Sequence, residues 1–305
     1  MALHLRKCRI AIATALVSTL LSPLPVSAAR ASTAQRAAFC TARSDSPLAA
    51  QLSRDIRAVL TARRGTVAVA LHDPATGLSC ALGSSYRYDT ASIAKVMIME
   101  VTLRRAQDWG RGLTAWERRK IRPMITRSDN TAARRLWADL GRPCIARFLG
   151  RALLGPTSRA YGLKQLNDVR RDQRWGVPAG MPRGTKAYIK NGWLPRSTHG
   201  WRVHSIGAFT KGRTKAGSRT GAGTANSRDR DRTYRIVVLS HDNPTMKYGV
   251  RTIERVAQAV HRALNKGRAA GQELTPENEI SEVADGSAPA GAPPEAPPEQ
   301  DTANR

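Results

Sequence analysis

The chain predicts a mixed α/β (α+β) fold, on three observations. Five short runs at 66–72, 78–82, 186–190, 201–209 and 234–240 read as strands. Segments of helical periodicity gather between the second and third of them. With 305 residues and a hydrophobic fraction of 41%, the chain can also bury a substantial core.

The first 28 residues carry Arg6, Lys7 and Arg9, an apolar run over 10–21, and then Val26, Ser27 and Ala28. That order is the order of a cleaved secretory signal, so residues 1–28 are assigned to a signal peptide and the protein is expected to be secreted. The apolar run falls short of the ~20 residues a bilayer-spanning helix needs, and no other membrane span is expected. Cleavage would remove Cys8 and leave Cys40, Cys80 and Cys144 in a compartment where disulfides persist. Pairing of Cys40 with Cys80 is favoured, because Cys40 precedes the first helix and Cys80 sits in an early strand packed nearby. Three unpaired thiols are the alternative.

A helix over 48–63 aligns Leu52, Ile56, Val59 and Leu60 on one stripe. The first two strands should form a hairpin about the turn that runs from Asp73 and Pro74 to Gly77. Residues 92–103 are apolar on nearly every side, as in a helix buried in the middle of a protein. Thr114 and Glu117 form a capping box, so a short helix should start there and end near Pro123. Another helix should follow Asn130 and stop before Gly141. A last helix over 246–264 aligns Val250, Ile253, Val256 and Val260. Residues 211–233, rich in Gly, Ser, Thr and Arg, should form a surface loop. Residues 267–305 hold eight acidic and two basic side chains among many Pro and Ala, which predicts a disordered tail and sets the globular domain at 40–266.

The formal charge of +27 raises the possibility of nucleic acid. The basic residues are spread over most of the chain rather than focused into a stripe, and no nucleic-acid motif occurs, so no nucleic-acid partner is expected. In an exported protein the charge would attract anionic cell-wall polymers and carboxylate-bearing substrates. An arginine-rich composition with a merely solvated surface explains it equally well. Among the histidines, a metal-ligand pairing of His199 with His204 lacks a third ligand in sequence, and His72, His241 and His261 read as surface or packing residues, so neither metal nor cofactor is implied. A monomer is expected.

Chemistry concentrates at three motifs. A serine hydroxyl needs a base, and Ser92 has Lys95 three residues on, on one face of the buried helix. Burial and neighbouring positive charge can leave such a lysine as the neutral amine. Placing Ser92 in the first helical turn adds backbone N–H groups that favour a developing anion. Ser128, Asp129 and Asn130 follow, and Lys190, Asn191 and Gly192 stand at a predicted strand end. No Gly-x-Ser-x-Gly occurs, which removes the nucleophile-elbow hydrolases.

These three motifs, in this order, resemble those of the penicillin-interacting serine enzymes, most closely the class A β-lactamases. The resemblance spans roughly residues 48–264, with Ser158 and Arg159 leading a helix before the third motif. It implies an antiparallel five-stranded sheet flanked by helices, with a reduced all-helical lobe. By position it implies Ser92 as the acylated nucleophile, Lys95 as its proton partner and Ser128 as the relay to the leaving nitrogen. Asn130 would hold the substrate amide, and Lys190 would attract the substrate carboxylate. Asn191 and Gly192 would line the substrate subsite, and the Ser92 and Trp193 N–H groups would form the oxyanion hole. Asp129 reads as structural. A β-lactam or an acyl-D-Ala-D-Ala-like molecule is the implied substrate.

Two departures stand out. Asn191 replaces a hydroxyl residue, although an amide can also donate. The family's omega-loop glutamate, which activates the deacylating water, has no counterpart: no Glu lies between Glu117 and Glu254. Leu166 and Asn167 superficially match the end of the omega-loop pattern, but Leu163 would then stand at the glutamate position, so that register is rejected and the omega loop is expected to be missing near 149–156. Asp168 and Asp172 remain as acids, read as lying on a solvated helix face. The sequence therefore predicts acylation with impaired deacylation. A D,D-peptidase acting on peptidoglycan and a non-catalytic wall- or β-lactam-binding protein are the rival readings.

Overall fold

The structure, a computed structural model, describes residues 38–43, 47–148 (backbone alone from 142), 154–211 and 233–280. The expected signal peptide, all of the expected loop but its end residues, and the chain after Ile280 lie outside the described residues. No helix among the described residues is long and apolar enough to cross a membrane.

One antiparallel sheet has six strands in the order β1-β3-β2-β6-β5-β4. They are β1 (Cys40–Thr41), β2 (Thr66–Asp73), β3 (Leu78–Leu82), β4 (Lys186–Pro195), β5 (Trp201–Thr210) and β6 (Thr233–Asn243). The sixth strand, absent from the five expected, is β1. It is too short to show a pattern, and it exists because Cys40 and Cys80 face each other across β1 and β3 and are joined by a disulfide. The favoured cysteine pairing is therefore present. The hairpin turn closes as expected, with the Asp73 carboxylate accepting the Ala75 N–H at 3.3 Å and the Thr76 hydroxyl at 2.9 Å.

Helices α1 (Pro47–Thr61) and α6 (Met246–Leu264) pack together and onto the sheet. The stripe read from the sequence of α6 is buried at Val250, Ile253, Val256 and Val260. Between β3 and β4 come α2 (Ala94–Asp108), α3 (Ala115–Thr126), α4 (Asn130–Phe148) and α5 (Pro156–Asn167), which form the helical lobe. Buried Arg105 of α2 joins it together, reaching Glu117 of α3 at 3.1 Å and the Asp139 carboxylate of α4. Burial alone would raise the Glu117 carboxyl, but Arg111, the Thr114 N–H and Arg105 together hold it at about 2. The capping box of Thr114 and Glu117 is formed.

Three boundaries differ from expectation. Helix α3 runs through Pro123 to Thr126. The turn that Pro123 would have ended carries Met124 and Ile125, both completely buried, and their burial outweighs one lost backbone bond. Helix α4 breaks at Gly141 (φ 70°) as expected, but its backbone resumes as helix to Phe148. The ordered domain does not stop at 266. The Gly271 N–H donates to Met181 O and the Gly180 N–H to Gln272 O, both at 2.7 Å, and Ile280 is buried in the core. Hydrogen bonds at Gly271, Gln272 and Thr275, together with buried Ile280, hold that segment against the domain.

Candidate active site

Ser92 sits in a single 3-10 turn, Ala91–Ile93, that leads into α2. The chain enters this turn through Ala91 at φ 45°, a left-handed conformation that costs an L-residue roughly 1–2 kcal/mol. Surrounding contacts hold it there. His204 of β5 is fully buried, accepts the Ser240 N–H at Nδ1 (3.2 Å), and donates from Nε2 to Asp89 O at 2.6 Å. That bond fixes the segment just before Ser92. Burial holds the His204 imidazole neutral, with its pKa down to about 4. Sequence reading assigned His204 no such duty, and only the pairing of distant strands reveals it.

One helical turn beyond Ser92, the Lys95 amine donates to the Ser92 hydroxyl and, at 2.5 Å, to Asn130 Oδ1. Asn130 is the first residue of α4, whose start is fixed by Asp129 Oδ1 accepting the Ala132 N–H at 2.8 Å. Asp129 is structural, and its structural part is to cap α4. Ser128 takes φ 58°, and its hydroxyl accepts from Lys190 Nζ at 3.0 Å. Lys190 also donates to Asn191 O at 2.8 Å. Ser92, Lys95, Ser128 and Lys190 are all 5% exposed or less, so four polar groups converge in a nearly dry place.

The third motif lies inside β4, not at a strand end. Residues 191–195 pair with 201–205 of β5, and this ladder overrides the poor strand preference of Asn and Gly. Alternation along the strand then decides which side chains meet the serine. Lys190 and Gly192 share the face toward Ser92. A Cβ on Gly192 would lie 2.8 Å from Ser92 N and 3.0 Å from Ile93 N, so only glycine lets the strand come this close. Asn191 and Trp193 share the other face. Asn191 is completely buried, and its Nδ2 donates to Gln173 O at 2.8 Å and Trp175 O at 2.9 Å. The expectation that its amide lines the substrate subsite is therefore corrected: the amide is spent on pinning residues 173–175. The Trp193 ring packs edge-on against Trp175 at 5.5 Å, while its backbone stays beside Gly192.

No family model and no curated protein matches the chain. Solved structures do. An ancestral class A β-lactamase superposes with a TM-score of 0.54 at 18% identity, over 70% of this chain and 100% of its own. The last common ancestor of Gram-negative class A β-lactamases gives 0.55 at 17%, over 70% and 99%. A β-lactamase from Xanthomonas campestris pv. campestris gives 0.54 at 16%, over 70% and 97%. The fold is that of the class A β-lactamases.

Only residues 149–155 lie between α4 and α5, in the region where the omega loop was expected to be missing. Helix α5 instead lies directly on α2: Gly162 abuts Leu103 and Met99, and the Gly155 N–H donates to Gln107 Oε1 at 2.7 Å. The two candidate acids face elsewhere. Asp168 pairs with Lys164 at 2.5 Å and Asp172 with Arg170 at 3.1 Å, all on exposed ground.

Proposed function

We propose that the chain is an exported serine hydrolase of β-lactamase type, acylated at Ser92 by β-lactams and slow to release the product. The observation that carries this reading is the contact of Lys95 with both Ser92 and Asn130, with Ser128 and Lys190 joined beside it. Lys95, as the neutral amine, takes the Ser92 proton while Ser92 Oγ bonds to the lactam carbonyl carbon. The oxyanion forms against the N–H groups of Ser92 and Trp193, a kind of donor worth about 10²–10³ in rate. As the C–N bond breaks, Ser128 gives its proton to the leaving nitrogen and is resupplied through the lysines. What remains is an ester on Ser92.

Hydrolysis of that ester needs a positioned base for water, worth typically 10²–10⁴. The chain carries no Glu between Glu117 and Glu254 to serve as the family's deacylating base, so acyl-enzyme should accumulate. The missing glutamate also favours a second reading, a D,D-peptidase-like enzyme that uses the same side chains on peptidoglycan stem peptides.

Nitrocefin mixed with the protein should give a burst of one equivalent followed by slow turnover, with intact-mass spectrometry placing the adduct on Ser92. Ser92→Ala should abolish both phases. A folded protein with no adduct from either a penicillin or an acyl-D-Ala-D-Ala thioester would reject acylation altogether. Acylation by the thioester alone would favour the peptidase.

A further inference from the structure

Away from Ser92, at the β4–β5 hairpin and the end of β6, three side chains far apart in sequence come together. His199 Nδ1 lies 3.0 Å from Asp242 Oδ1, and His241 Nδ1 lies 2.6 Å from Asp242 Oδ2. One ligand atom from each residue falls within 4.8 Å of the others. We propose that His199, His241 and Asp242 form a binding site for a divalent transition-metal ion of the Zn²⁺ type.

The donor set argues for that class of ion. Two imidazoles and one carboxylate suit Zn²⁺, Co²⁺, Ni²⁺ or Cu²⁺, whereas Mg²⁺ and Ca²⁺ prefer oxygen alone. Metal–ligand distances of about 2.0–2.1 Å put neighbouring donor atoms about 3.3 Å apart in a tetrahedron. The Asp242 carboxylate already stands within that spacing of both rings, and one donor atom from each residue lies within 4.8 Å of the others. His199 and Asp242 are well exposed, which leaves the remaining coordination positions to water. His241 is largely covered, with its ring 5.1 Å from that of Tyr88.

The arrangement is built by the backbone as well. His199 and Asp242 both adopt left-handed conformations, at φ 59° and 60°, and the Asp242 N–H donates to His199 O at 2.7 Å. Non-glycine residues held this way are costly and cluster at ligand clamps. The Thr66 hydroxyl donates to Asp242 Oδ2 at 3.2 Å, the kind of outer contact that orients a metal-binding carboxylate. Each Nδ1 donates to the Asp242 carboxylate. When Nδ1 takes the metal, a neutral ring carries its proton on Nε2 instead, so no oxidant, reductant or net proton release is required. An ion there would clamp the β4–β5 hairpin to β6 and, through Thr66, to β2.

The test is titration of the metal-free full chain with Co²⁺, followed by its visible absorbance, and with Zn²⁺ by calorimetry. One equivalent should bind, with d–d bands of nitrogen-ligated Co²⁺. His199→Ala and Asp242→Asn should each weaken binding at least tenfold, whereas His72→Ala, elsewhere on β2, should leave it unchanged. Carbethoxylation of the unaltered protein covers the case of an unfolded variant: Zn²⁺ should slow modification of His199 and His241 severalfold and leave His72 unaffected. Stoichiometric binding that survives His199→Ala, no binding at all, or equal modification rates with and without Zn²⁺ would each overturn the assignment.

Discussion

Replacing Gly192 by alanine isolates the close approach of β4 to the serine. The added methyl carbon would stand 2.8 Å from Ser92 N, 3.0 Å from Ile93 N and 3.1 Å from Ala91 Cβ. Two of these are backbone atoms that cannot swing aside. Restoring ordinary contact of about 3.4 Å or more requires the strand to retreat by roughly half an ångström, carrying the Trp193 N–H away from the position of a developing oxyanion. Misplacement of that size, or loss of one donor, costs about 10²-fold or more in rate, which corresponds to about 2.7 kcal/mol of barrier. Side-chain bonds between Lys95, Asn130, Lys190 and Ser128 should persist. Stopped-flow acylation by nitrocefin reads the effect directly. Gly184→Ala provides the control: its φ of 73° strains any L-residue, yet nothing lies within 4 Å of the new carbon. It should lower stability by about 1 kcal/mol and leave acylation intact. A folded Gly192→Ala protein that acylates at the original rate would refute the proposed oxyanion geometry.

Buried His204 and His261 both have pKa values lowered to about 4, chiefly by desolvation. The unfolded chain therefore binds more protons between about pH 6.5 and 4, so stability should be full above that window and fall as pH drops through it, by at most about 3 kcal/mol per histidine. Urea unfolding at about pH 7 and about pH 4.5 measures the difference, and His261→Phe should roughly halve it. Asn191→Thr, which restores the family's hydroxyl, should not improve turnover. It removes the donor shared by Gln173 O and Trp175 O and should cost about 1–3 kcal/mol for each buried carbonyl left unpaired, read by denaturant midpoint. Cys40→Ser opens a loop of 40 residues and should lower stability by about 2–4 kcal/mol, with reductant reproducing the loss in the unaltered protein.

Much of this molecule is local information. The capping box of Thr114 and Glu117, the hairpin turn after Asp73 and the apolar stripe of α6 depend on contacts within a few residues, and each was legible as a pattern. The Ser92–Lys95 pair was legible too, because helical spacing alone puts both side chains on one face. Asn191 was misread for the opposite reason. Once the strand continues through it, alternation groups it with Trp193 and against Lys190, but the continuation is supplied by β5 and invisible in the residues themselves.

What only tertiary structure decided involves partners that the chain brings in from afar. The requirement for glycine at 192 arises from a helix turn 100 residues earlier, and the tether on Asp89 comes from a histidine 115 residues away. The packing of Ile280 and the meeting of His199 with Asp242 are of the same type. Sequence periodicity reports which face of an element is apolar, not which distant backbone arrives against it. Burial and the satisfaction of buried polar groups settle that second question, and both depend on the whole fold at once.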